Sequence, residues 1–131
     1  MATVRKEAWP HLVSQAVTPI KYLTENGFTI VRLSEIDVSV KATPQDCRFL
    51  VQRDEGIERL IQVHFDTSLA TELRTRRSLP LPDTSPFWLV CAESLLANYL
   101  WEQNDFPPDE RLIIKDLPPD EFMLALHWRD R

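Results

Sequence analysis

Cys47-Arg48-Phe49-Leu50-Val51-Gln52-Arg53-Asp54-Glu55-Gly56-Ile57-Glu58-Arg59-Leu60-Ile61-Gln62-Val63-His64-Phe65 is the stretch that decides the fold. Two runs of strand-forming residues flank a turn sequence. Both runs are strand-like, and in the second Ile61, Val63 and Phe65 fall on one side with Gln62 and His64 on the other. A period of two indicates strands with one face buried and one face wet. Gly56 stands where a hairpin needs a left-handed residue. So short a connection joins antiparallel neighbours, because a parallel pair needs a crossover of about a dozen residues or more.

Upstream, Phe28-Thr29-Ile30-Val31-Arg32-Leu33 is a mostly apolar run. In Ile36-Asp37-Val38-Ser39-Val40-Lys41-Ala42, Ile36, Val38 and Val40 share one side. Both predict strands, which makes an antiparallel meander of three or four strands. Residues 2–26 read mainly as helix, from Trp9, Leu12, Val13, Ala16, Val17, Ile20 and Leu23 at helical spacing, with a break or kink at Pro19. Gly27 follows as the expected left-handed cap.

Downstream, residues 67–78 predict a short helix, and Pro80 and Pro82 enforce a loop. Ser85-Pro86 caps the strongest helix, which runs to about Asn104 and is apolar around most of its circumference. Residues 111–117 read as a short strand, and Asp120 to Trp128 as a last helix. The expectation is a single α+β domain over residues 1–131: N-terminal helix, meander, long apolar helix, short strand and C-terminal helix.

Composition narrows the chemistry. The chain has only 2 glycines, and both are assigned to turns or caps. None remains for a phosphate-cradling loop, which argues against P-loop enzymes, dinucleotide-binding folds and kinase-like glycine loops. The formal charge of −5 disfavours non-specific binding to nucleic acid. No apolar run approaches a membrane span, and no apolar segment follows Arg5-Lys6 to make a secretory signal. Cys47 and Cys91 read as buried free thiols of a reducing cytoplasm. His11, His64 and His127 lie far apart, with no zinc-type spacing, so no metal or other cofactor is expected.

Asp46, Gln62 and His64 form the best candidate chemical constellation. An acidic residue precedes one strand, and Gln62-Val63-His64 ends the next. This resembles a degenerate PD-(D/E)xK nuclease signature. The resemblance covers the first half of the chain and puts Asp46 at the acidic position, with Asp37 as a rival. It puts Gln62 at the variable position and His64 where that family has lysine. It implies divalent-metal hydrolysis of nucleic acid, with Arg74, Arg76 and Arg77 on the phosphates. The departures are plain: Gln62 brings no charge and His64 is not a lysine. The alternative reading places Gln62 and His64 on the wet face of a strand, and the arginines as solvated cations at a helix end.

The 4 tryptophans are many for this length. Trp101, beside Asn98 and Glu102, is the first candidate for a contact surface, and Trp128 the second. The expected function is therefore a small acidic cytoplasmic protein-interaction domain, non-catalytic, of adaptor, chaperone-like or assembly type. Its partner is another protein or a second copy of the chain, as a homodimer. In size, acidity and mixed architecture it is similar to secretion-chaperone-like domains. The competing expectation is the degenerate nuclease or nucleic-acid-binding module.

Overall fold

The structure, a computed structural model, describes residues 21–54 and 56–129. Among the described residues five strands form one sheet: β1 (Lys21–Leu23), β2 (Thr29–Arg32), β3 (Cys47–Gln52), β4 (Glu58–Phe65) and β5 (Arg111–Ile114), in spatial order β1-β2-β3-β4-β5. The first four pair antiparallel with their sequence neighbours, while β5 runs parallel to β4. The helices are α1 (Leu33–Ile36), α2 (Thr67–Arg76), α3 (Pro86–Gln103) and α4 (Pro119–His127). The fold is thus α+β with a mixed sheet. Among the described residues, no helix is long and apolar enough to cross a membrane.

Alternation in β3 and β4 buries Cys47, Phe49, Val51, Ile61, Val63 and Phe65 against the helices. The register pairs Phe49 with Ile61, so the apolar sets coincide on one face. The turn between them closes with Arg53 N–H to Ile57 O at 2.8 Å, and Gly56 takes φ +84°. Because β5 is parallel to β4, the chain must cross over between them, and α2 with α3 makes that crossover.

Two expectations are corrected. Residues 36–42 are not a strand. The Asp37 carboxylate accepts from the Ser39 N–H (3.0 Å) and hydroxyl (2.7 Å), and Val40 N–H bonds Asp37 O at 3.0 Å. This side-chain-closed turn takes the backbone away from any ladder, leaving Val38 92% exposed. Second, the helix expected up to Asn26 gives way to β1 by Lys21; the part expected over residues 2–20 lies outside the described residues. Gly27 has φ +98°, but as a hairpin residue between β1 and β2 rather than a helix cap. Gly27 N–H bonds Thr24 O at 3.2 Å, and Thr24 N–H bonds Phe28 O at 2.9 Å.

Helix α3 starts where Ser85 Oγ accepts from Phe87 N–H (3.1 Å), with Pro86 in the first turn. It ends at Asn104, which is left-handed (φ 53°). Its last carbonyls are met by other elements: Asn26 Nδ2 donates to Leu100 O at 3.0 Å and Arg53 Nη2 to Asn104 O at 2.6 Å. Trp88 packs edge-on against Phe65 and Phe87, with centroids 5.2 Å apart in both pairs. On its other side α3 meets α4: Cys91 and Ser94 face Glu121, and Phe87 faces Trp128 at 5.6 Å. Contacts with the sheet and with a covering helix explain why α3 is apolar nearly all round. Each large side chain so buried is worth roughly 1.5–3 kcal/mol.

Candidate functional site

Asp46 stands immediately before β3, Gln62 lies on the adjoining β4, and the ladder sets Gln62 opposite Arg48. All point to the sheet face away from α3, since their neighbours Cys47, Ile61 and Val63 are buried on the helix side. Gln62 Nε2 donates to Asp46 Oδ1 at 3.0 Å. Arg48 grips the same carboxylate with two bonds, Nε to Oδ1 and Nη2 to Oδ2, both 2.9 Å. His64 Nδ1 is 2.9 Å from Gln45 O. A carbonyl only accepts, so Nδ1 carries the proton in this bond, and Nε2 of the neutral ring keeps a lone pair. The structure thus brings Asp46 and Gln62 into direct contact and places His64 two residues along the same strand. Asp37 is held in its own turn by Ser39.

The chemical capacity of this cluster is narrow. Both Asp46 oxygens are engaged, so a cation there has to displace Arg48. Among the described residues, no three His, Cys, Asp or Glu side chains are grouped to hold a metal ion. Next to it lies a hollow of about 260 Å³ lined by Arg48, Leu60, Gln62, Asp109, Glu110 and Arg111. It carries both signs of charge, and Glu110 already pairs with Arg59 at 3.6 Å.

Each arginine of the basic run has partners within the fold. Arg74 pairs with Asp83 and lies over the Trp88 ring, 5.6 Å from its centroid. Arg76 pairs with Glu72 one turn earlier (3.6 Å) and covers Phe122. Arg77 donates to the carbonyls of Leu79, Pro80 and Ala125, tying the proline loop to the end of α4. Trp128 is partly buried against Phe87. Burial pushes the Cys47 thiol up to about 12 and raises Cys91 as well, where the nearby Glu121 carboxylate adds to the effect. Neither thiol supplies a thiolate at neutral pH.

Trp101 differs from the other described tryptophans. It is 53% exposed, near the C-terminal end of a helix whose other face is buried. A groove of about 390 Å³ runs from it to β1, lined by Tyr22, Leu23, Thr24, Glu25, Ala97 and Asn98. Tyr22 (43%) and Leu23 (52%) are exposed as well. β1 closes one end of the sheet and pairs only with β2 among the described residues. Sequence reasoning found Trp101 but missed Tyr22 and Leu23, because their segment was taken as helix. The available signal was Asn26-Gly27 followed by Phe28-Thr29-Ile30-Val31, a hairpin pattern that makes the preceding residues a strand. No protein-family model matches this chain, and no curated protein or solved structure is significantly similar to it.

Proposed function

We propose that this chain is a small non-catalytic protein-interaction domain, of adaptor, chaperone-like or assembly type, that contacts a protein partner at the corner between β1 and α3. The observation that carries the reading is Trp101, exposed across a groove from Tyr22 and Leu23. Tryptophan and tyrosine on one surface have the character of binding anchors, with a large apolar area and few torsions to order. Exposed aromatic and leucine side chains beside a strand offer a partner both apolar area and a groove to fill. Free, buried thiols at Cys47 and Cys91 suit a reducing compartment, and the cytoplasm is the proposed place.

A second reading, the degenerate nuclease or nucleic-acid module, draws support from the contact between Asp46 and Gln62 next to His64. It ranks behind because Arg48 and Gln62 already engage both oxygens of the Asp46 carboxylate.

One experiment separates them. A photo-crosslinking side chain is placed at Trp101, with a control at the exposed Val38. The same protein is incubated with DNA and RNA in Mg²⁺ or Mn²⁺. The expected result is a discrete covalent protein product from position 101, none from position 38, and intact nucleic acid. Cleavage that disappears in Asp46→Ala, or the absence of any product from position 101, overturns the proposal.

A further inference from the structure

At the other end of the sheet, and independently of the β1 corner, we infer that the hollow between β4, β5 and the turn before β5 binds a free α-amino acid with an aliphatic side chain, held through its ammonium and its carboxylate together. The sheet register supplies the first argument. Gln62 stands opposite Arg48 on one neighbouring strand and opposite Arg111 on the other. Opposed residues share a face of the sheet, so all three side chains lie on the surface away from α3. Asp46 takes Arg48 with two bonds, whereas Arg111 has no partner among the described residues.

Charge supplies the second. Around the hollow, Arg48 is matched by Asp46 at 2.9 Å and Glu110 by Arg59 at 3.6 Å. That leaves one cation and one anion, Arg111 and Asp109, neither of which has a partner among the described residues. They stand two positions apart in sequence yet form no ion pair with each other. The backbone between them is unusual: Asp109 (φ 57°) and Glu110 (φ 58°) are consecutive left-handed residues, a conformation disfavoured by a Cβ. Their turn packs against β4 and is fixed by Glu110 N–H to Pro107 O at 3.2 Å and by Arg111 N–H to Pro108 O. A simple anion in this hollow meets Asp109, and a simple cation meets Arg111. A ligand carrying both charges satisfies both groups.

Size and polarity supply the third. The hollow holds about 260 Å³, just under the roughly 300–1,000 Å³ of ordinary ligand pockets, which suits one amino acid rather than a nucleotide. A guanidinium receives a carboxylate through two parallel bonds, and that is the role of Arg111. Gln62 Nε2 is spent on Asp46, so its Oε1 is left to accept a bond, and with the Asp109 carboxylate it receives an ammonium. Leu60, two residues before Gln62 and 43% exposed, gives the ligand's aliphatic side chain an apolar wall.

The test titrates L-leucine into the full chain and follows backbone amide shifts by NMR. Saturable shifts are expected at Gln62 and Arg111, with Leu23 in β1 unmoved. N-Acetyl-leucine lacks the ammonium and leucinamide lacks the carboxylate, so each should bind about tenfold or more weakly. Asp109→Asn keeps a residue type that tolerates the left-handed turn. It should lose the preference for leucine over N-acetyl-leucine and keep the preference over leucinamide. Arg111→Gln should do the reverse. Both residues are exposed, so these substitutions leave the core intact, and amide shifts away from the hollow check this. Absence of saturation at millimolar leucine, equal binding of the three ligands by the unmodified chain, or variants that keep both preferences overturn the inference.

Discussion

Glu93 is the only charged side chain that is buried among the described residues, and breaking its pair with Arg32 should cost more stability than any surface ion pair in the molecule. Glu93 lies in the middle of α3 and Arg32 ends β2. The guanidinium binds the carboxylate through two bonds, Nε to Oε2 at 3.1 Å and Nη2 to Oε1 at 2.9 Å, and its own pKa is raised by that contact. Losing one member of a fully buried pair costs about 3–5 kcal/mol. The side chains of Arg32 and Glu93 are 22% and 11% exposed, so water reaches the survivor and the figure must be reduced. For Arg32→Met, which strands the carboxylate, we expect a loss of about 2–3 kcal/mol. For Glu93→Gln the loss should be about 1–2 kcal/mol, since the amide still accepts one bond. Glu35 at 3.8 Å also continues to attract the guanidinium. The double variant should show a coupling of about 1–2 kcal/mol in a double-mutant cycle. The assay is urea unfolding followed by fluorescence of the buried Trp88, with a shifted midpoint and an unchanged slope. Coupling should persist at 1 M salt, where an exposed pair is screened. Additive single and double variants, or coupling that vanishes in salt, would refute the argument that burial strengthens this pair.

Further outcomes are expected. Gly27→Ala should cost about 2–3 kcal/mol, because φ is +98° and a Cβ there comes 2.5 Å from Asp54 Oδ2. Gly56→Ala, at φ +84° with nothing nearby, should cost about 1 kcal/mol, and Asp54→Ala should recover part of the Gly27→Ala loss but none of the Gly56→Ala loss in chemical denaturation. Ser85→Ala should cost about 1 kcal/mol by removing the acceptor for Phe87 N–H, and a loss below a few tenths contradicts the cap. Cys47, with its thiol at about 12 in the fold against an ordinary value of 9.0, is a group whose folded pKa is raised. Above pH 9 the unfolded chain loses this proton while the fold keeps it. The stabilisation is complete below that pH and declines towards pH 12, by about 1.4 kcal/mol per unit. Titration of the unfolding midpoint across that window checks the sign, and an aromatic disulfide reagent at pH 8 should label Cys47 and Cys91 only as fast as the protein unfolds.

Much of the α+β fold could be read from local pattern. The strand-like run from Cys47 to Arg53 and the alternation of Ile61, Val63 and Phe65 announced β3 and β4, Gly56 marked their turn, and Ser85-Pro86 marked the start of α3. Those features act within a few residues of themselves. The alternation of Ile36, Val38 and Val40 misled for the same reason: periodicity does not reveal that the Asp37 side chain closes a turn on Ser39. Asn26-Gly27 carried the hairpin that makes β1, but helical spacing upstream obscured it.

The site depended far more on chain folding. Asp46 and Gln62 were named from their positions relative to strands, yet nothing local shows that Arg48 takes both oxygens of that carboxylate. The arginines of residues 74–77 looked available until Asp83, Glu72 and three carbonyls were placed beside them. Residue types and their spacing determined which segments become strands and helices, because backbone preference and apolar alternation are properties of neighbours. Only the tertiary structure decided that β5 runs parallel beside β4, that α3 lies between the sheet and α4, and that Trp101 stands exposed beside β1. Those facts come from pairings between residues far apart in sequence, and such pairings set which groups lose water and which keep it.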